Sequence, residues 1–162
     1  MSEFTHFTDK GRARMVDVSE KAETERVATA RGRILMNTET LEKIKEGIIK
    51  KGNVLAVTDV AAVMGAKRTP DIIPMCHPIG LTSVEVDFED GIVGNNAYID
   101  VIVTTRCVGK TGVEMEALTG VATALLTIYD MCKSADRGMT ITDIRLVEKK
   151  GGRSGHWRRE ER

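Results

Sequence analysis

The stretch Val84-Glu85-Val86-Asp87-Phe88-Glu89 alternates apolar and acidic residues, and a second extended run from Tyr98 to Val103 follows it. Alternation of period two puts the valines and the phenylalanine on one face and the carboxylates on the other, as in a strand with one side buried. Either Asp90-Gly91 or Gly94-Asn95-Asn96 supplies the reversal between the runs, so the pair reads as an antiparallel hairpin.

Upstream, Arg26 to Met36 carries β-branched residues among alanines and arginines and reads as a strand. Asn37 or Thr38 then caps a helix in which Leu41, Ile44 and Ile48 share a face, and Lys50-Lys51-Gly52 has the cations and glycine expected at its end. This reading places Lys51 at a helix C-terminus. A second helical piece aligns Val57, Val60, Ala61 and Met64, and Thr69-Pro70-Asp71 opens a further turn with its proline in the first position. Downstream of the hairpin, Leu118, Val121, Ala122, Leu125, Ile128, Tyr129 and Cys132 form the strongest apolar stripe in the chain. Gly138 separates that helix from a last strand, Ile141 to Val147. The order β, α in two pieces, β, β, α, β is the split βαβ plan: one α+β domain over 1–162, with a four-stranded antiparallel sheet and helices on one face. An N-terminal arm, 1–20, and a tail, 150–162, flank it.

Lys plus Arg and Asp plus Glu are equal at 24 each, so the overall field gives no reason to expect nucleic acid or an anionic membrane as partner. Three cysteines without Cys-x-x-Cys spacing argue against a disulfide framework or zinc cluster and fit a reducing cytoplasm. No signal-peptide pattern and no bilayer-length apolar run is present. With Trp157 in a polar segment, stacking platforms for exposed bases are not expected.

On the long helix Glu116, Gly120, Thr123, Thr127, Asp130 and Lys133 or Ser134 line a second, polar stripe, which by spacing alone reads first as a solvated face. Glu114 and Glu116 fall in the first turn, where the helix dipole favours carboxylates and where one could also accept the N–H groups of a guanine edge. Gly109-Lys110-Thr111 sits where a phosphate loop would, but the Walker spacing requires glycine at the position of Thr104; what stays is a helix N-terminus able to meet an anion. Pro74 and Pro78 hold His77 on a stiff loop. Cys76 and His77, adjacent on extended backbone, point to opposite sides, which disfavours a metal or nucleophilic pair.

At Met15-Val16-Asp17-Val18-Ser19, Lys21-Ala22-Glu23-Thr24, Ala66-Lys67-Arg68-Thr69, Ile73-Pro74-Met75-Cys76-His77-Pro78, the run from Gly109 to Thr119, Leu126 to Lys133, and Gly151-Gly152-Arg153-Ser154-Gly155, the chain closely resembles the MoaC family, the cyclic pyranopterin monophosphate synthases. The resemblance implies a ferredoxin-like domain assembled as a hexamer, a trimer of dimers, with active sites where subunits meet. It implies conversion of 3′,8-cyclo-7,8-dihydroguanosine 5′-triphosphate to cyclic pyranopterin monophosphate and pyrophosphate, in step with the radical SAM GTP cyclase of the same pathway. Lys51, Asp130 and Lys133 are then the acid and base groups. Met75, Cys76, His77, Met115 and Glu116 bind substrate, with Arg26, Lys67, Glu114, Lys21 and Asp17 as further pocket residues. Lys133 beside Asp130 suits an acid or electrostatic role, whereas Lys51 fits either part. No resident metal or cofactor is implied, and whether magnesium accompanies the triphosphate is left open. Arg153 stands where relatives often carry lysine, so it keeps a phosphate contact but cannot transfer a proton. The rival readings are a degenerate member that binds without turnover and a purely structural oligomer.

Overall fold

The computed structural model describes residues 5–160. Its elements in order are β1 (Thr24–Met36), α1 (Thr38–Glu46), α2 (Val54–Lys67), α3 (Thr69–Ile72), β2 (Ser83–Val93), β3 (Asn96–Gly109), α4 (Glu114–Cys132), β4 (Thr140–Lys150) and β5 (Trp157–Arg158). The strands form one antiparallel sheet in the order β2-β3-β1-β4-β5. Its first four positions are the split βαβ arrangement. The expected four strands become five because the tail folds back: Trp157 pairs with Lys149 and Arg158 with Glu148, after Gly151, Gly152 and Gly155 turn the chain through positive φ. The hairpin turns at Gly94-Asn95, with Asp90 and Gly91 inside β2.

One face of the sheet is apolar. Ala28, Ala30 and Ile34 from β1 and Ile99, Val101 and Val103 from β3 meet Val121, Leu125 and Ile128 of α4, all essentially buried. Each of the large aliphatic side chains contributes roughly 1.5–3 kcal/mol by leaving water.

Three local expectations need correction. First, α1 stops at Gly47, which is left-handed (φ 70°), and the N–H groups of Gly47 and Ile48 donate back to Ile44 O and Lys43 O. Lys51 therefore lies in the turn before α2 and not at a helix end, and buried Ile49 takes the place expected of Ile48, which is exposed. Second, α2 buries Val54, Thr58, Ala62, Gly65 and Ala66 and leaves Val57, Val60 and Met64 exposed. Small residues win because α2 and α4 approach closely: a Cβ on Gly65 would stand 2.3 Å from Thr123 Oγ1. The Thr58 hydroxyl is satisfied within its helix by Val54 O at 2.7 Å. Third, Glu116 and Gly120 of the supposed solvated stripe are buried, and only Asp130 and Lys133 at its far end are exposed. Among the described residues no helix is long and apolar enough to cross a membrane.

Candidate active site

Charged groups gather at both ends of α4. At the C-terminal end Asp130 stands between two ammonium groups: Lys51 Nζ lies 3.0 Å from Oδ2 and Lys133 Nζ 3.0 Å from Oδ1. Lys51 Nζ also donates to the Asp130 carbonyl at 3.1 Å, so a residue distant in sequence is fixed to the last turn of α4. The hydrogen bond from Lys51, then that from Lys133, holds the Asp130 carboxyl below its ordinary range. All three side chains are exposed, and such pairs add little to stability. What they achieve is two oriented ammonium groups side by side.

At the N-terminal end a cavity of about 230 Å³ is enclosed by the Met75-Cys76-His77 loop, by Met115 and Glu116 in the first turn of α4, and by Val16, Val18 and Lys21 of the arm. Glu116 is 2 % exposed, and its Oε2 has no hydrogen-bond partner. Burial, reinforced by the nearby charge of Glu114, raises its carboxyl from 4.5 to about 7. His77 Nε2 lies 2.7 Å from the Val16 carbonyl oxygen; because a carbonyl only accepts, Nε2 carries the proton and Nδ1 is the other ring nitrogen left for a ligand. Lys110 Nζ donates to Ser19 O at 3.1 Å, so the arm is tied down on both sides of Asp17. Asp17 itself takes hydrogen bonds from the hydroxyl and N–H of Ser19, which lower its carboxyl's pKa. Burial, then the charge of Glu116, pushes the Cys76 thiol up, which disfavours its thiolate form. Contrary to the opposite-sides expectation, Cys76 and His77 line the same cavity, because the loop between its two prolines is not a regular extended strand.

A second cleft, about 630 Å³, adjoins the first and carries Lys21, Arg26, Lys149 and Arg153. Lys149 Nζ stands 3.0 Å from Glu114, and Arg26 Nε donates to Gly109 O at 3.2 Å. Thr24 Oγ1 is buried there without a partner. The Gly151-Gly152 turn presses on β1: a Cβ on Gly151 would fall 2.0 Å from Glu25 O. Lys149 belongs to none of the motifs that carry the resemblance, and Thr24 has no signal beyond its place in Lys21-Ala22-Glu23-Thr24. Lys67, the last residue of α2, is exposed and lines neither cavity.

The structure thus unites Lys51, Asp130 and Lys133, and separately unites Met75, Cys76, His77, Glu114, Met115, Glu116 and Lys21, with Arg26 in the adjoining cleft. Fourteen residues of helix divide Glu116 from Asp130, about 21 Å at 1.5 Å per residue. One chain by itself does not bring the two groups together. Between them the outer side of the helix layer shows Val60, Met64 and Leu126, each close to 60 % exposed.

In topology this is a ferredoxin-like α+β protein with chemically distinct clusters at the two ends of one helix. Residues 15–152 match the model of the MoaC family, and the chain belongs to that family. It is 58% identical over 159 residues to the cyclic pyranopterin monophosphate synthase of Desulfitobacterium hafniense, covering 98% of this chain and 96% of the relative. It is 57% identical over 161 residues to the protein of the same name from Thermomicrobium roseum, covering 99% and 96%. Against the Heliobacterium modesticaldum protein of that name the figures are 55% over 161 residues, covering 99% and 100%.

Proposed function

We propose that this chain is a cyclic pyranopterin monophosphate synthase acting in molybdenum cofactor biosynthesis on 3′,8-cyclo-7,8-dihydroguanosine 5′-triphosphate supplied by a radical SAM GTP cyclase. The observation that carries this reading is the pair of ammonium groups on Asp130, on a chain that also holds a buried carboxyl with one oxygen unpartnered beside a cationic cleft. Lys21, Arg26, Lys149 and Arg153 offer counter-charge and donors to a triphosphate. Glu116 and Glu114 offer acceptors to the N–H groups of a guanine-derived ring. Lys51 and Lys133 move protons as the ring rearranges, and Asp130 keeps them aimed. An oxygen of the rearranged nucleotide then forms a bond to the α-phosphorus while the α–β bridging bond breaks. Pyrophosphate leaves with its charge met by the cations. The scheme calls for no resident cofactor; any magnesium arrives with the phosphates.

The separation within one chain is resolved by a second copy. Lys51 and Asp130 join the start of α2 to the end of α4, and Gly65 packs on Thr123, so the two helices run antiparallel. A two-fold axis between two helix layers, running across the helices, places the lysine end of each chain on the His77 end of the other. Two equivalent sites result, with Val60, Met64 and Leu126 covered between them. A trimer of such dimers in the cytoplasm is the assembly expected.

Purified protein incubated with the cyclised nucleotide should release pyrophosphate and an oxidisable pterin in equal amounts. A folded sample that binds the nucleotide and releases neither is a binding module instead.

A further inference from the structure

We propose that the ion pair between Glu114 and Lys149 is an internal stand-in for substrate, exchanged fully only for a ligand that carries both a phosphate chain and the N–H edge of a guanine-type ring. The inference rests on the reading of the site given above and adds to it a device that sets specificity.

The two cavities at the N-terminal end of α4 share a wall. Lys21, Thr111, Gly112 and Glu114 line both of them, and Glu114 stands at the junction. On one side is the pocket of Glu116, suited to N–H donors; on the other is the cationic cleft. Glu114 Oε1 lies 3.0 Å from Lys149 Nζ, and the two side chains are 27 % and 23 % exposed. Among the described residues Lys21, Arg26 and Arg153, the other cations of the cleft, make no ion pair, and neither does Glu20, its other carboxylate, which is exposed. Lys149 is thus the cleft cation whose charge is already taken.

The backbone on either side of the pair is fixed. Lys149 sits in β4 between Ala28 of β1 and Trp157 of β5. Glu114 is the first residue of α4, and its carboxylate folds back over Gly112, where a Cβ would fall 2.1 Å from Oε2. The pair therefore opens by rotation of side chains. The lysine has a flexible four-carbon stem, and the dipole at the helix N-terminus continues to stabilise the carboxylate once the ammonium has left. The charge of Glu114 is also felt by the Glu116 carboxyl, so a change at Lys149 reaches the pocket.

Closed, the pair blocks both kinds of recognition. Glu114 Oε1 is withheld from a ring N–H, and the ammonium is withheld from phosphate. A phosphate chain alone draws Lys149 away and strands a half-buried carboxylate, whereas a ring alone at Glu114 strands the ammonium. A nucleotide replaces both partners at once, with phosphate oxygens for Lys149 and N–H donors for Glu114. The two ends of one ligand consequently bind with positive coupling, because each favours the open pair. Pyrophosphate, once detached, has lost the ring, so reclosure of the pair competes with it and favours its release.

Calorimetric titration of the full chain with inorganic pyrophosphate tests the exchange. Glu114→Gln frees Lys149, so pyrophosphate should bind this variant about three- to tenfold more tightly than the wild type. Loss of a negative charge would by itself attract an anion, so the same substitution is also made on Lys149→Met. With no lysine to free, the gain from Glu114→Gln should fall below about twofold. An equal gain in both backgrounds, unchanged or weaker binding in Glu114→Gln, or no binding in either the wild type or Glu114→Gln overturns the proposal. Guanosine gives an independent readout. In the wild type pyrophosphate should tighten guanosine binding about fivefold or more, and guanosine should tighten pyrophosphate binding by the same factor; in Glu114→Gln the coupling should vanish. Should a variant unfold or bind too weakly to measure, the coupling in the wild type decides, and its absence overturns the proposal. Turnover keeps the two claims apart. A chain that releases pyrophosphate from the cyclised nucleotide without showing the coupling retains the proposed activity and loses the exchange, and one that shows the coupling without turnover does the reverse.

Discussion

Asp130 orients two ammonium groups without burying them, so its worth should appear in catalysis and not in stability. Lys51→Ala and Lys133→Ala are each expected to lower turnover about 10²–10⁴-fold, the usual contribution of a positioned acid or base, while nucleotide binding and the thermal midpoint stay near those of the wild type. Pyrophosphate release, calorimetric titration and a melting curve on the same samples separate these effects, and a loss below tenfold in both variants removes the pair from the chemistry. Glu116 makes the opposite prediction, because it is buried and its carboxyl is raised from 4.5 to about 7. Between those values the folded chain binds more protons than the unfolded one, so stability is fully present below about pH 4.5 and declines as pH climbs toward 7. The loss is at most on the order of 3 kcal/mol. Glu116→Gln cannot ionise, so urea midpoints measured at pH 5 and pH 7.5 should lie closer together in the variant than in the wild type; equal pH dependence would show that the carboxyl is not the cause.

The approach of α2 to α4 carries the lysine of one end and the pocket of the other, and it depends on side chains too small to register in a hydrophobic pattern. Gly65→Ala would set a methyl 2.3 Å from Thr123 Oγ1 and 2.6 Å from Thr123 Cβ. The second atom cannot swing away, so the helices must separate. A cost of about 1–3 kcal/mol is expected, a fall in thermal midpoint of several degrees, and a midpoint unchanged within a degree would mean that the helices adjust freely. The same contact explains what was legible in the sequence. The hairpin and the α4 stripe were readable because their apolar residues are large and periodic. The α2 face was misread because Val57, Val60 and Met64 outweigh Ala62, Gly65 and Ala66 in hydrophobicity while packing favours the smaller set. Lys51 was misplaced because Gly52 offers as good a stop signal as Gly47, and only the backbone bonds to Lys43 and Ile44 decide between them. In the sequence Glu116 reads as solvated because a carboxylate in a first helical turn is normally exposed. Thr24 and Lys149 became site candidates only when the tail folded back onto β1, a long-range event that no local pattern encodes.

Across the whole molecule the two ends of α4 are too far apart to serve one substrate, and that distance makes a shared site testable without a structure of the complex. Lys133→Ala breaks the lysine end of every site to which its chain contributes that end, and His77→Ala breaks the pocket end. Each variant alone should therefore be inactive. In a mixed dimer one site receives both lesions, but the other receives the intact lysine end of the His77→Ala chain and the intact pocket of the Lys133→Ala chain. Random exchange at equal concentration makes half the dimers mixed, each with one working site of two, so about a quarter of wild-type turnover should return. The recovery should follow a bell-shaped dependence on mixing ratio with its maximum at equal amounts, and it should appear no faster than subunits exchange. Activity that stays at the level of the separate variants after exchange has been verified by mass would place each complete site within a single chain, and would require a rearrangement of α4 much larger than its packing on β1 and β3 permits.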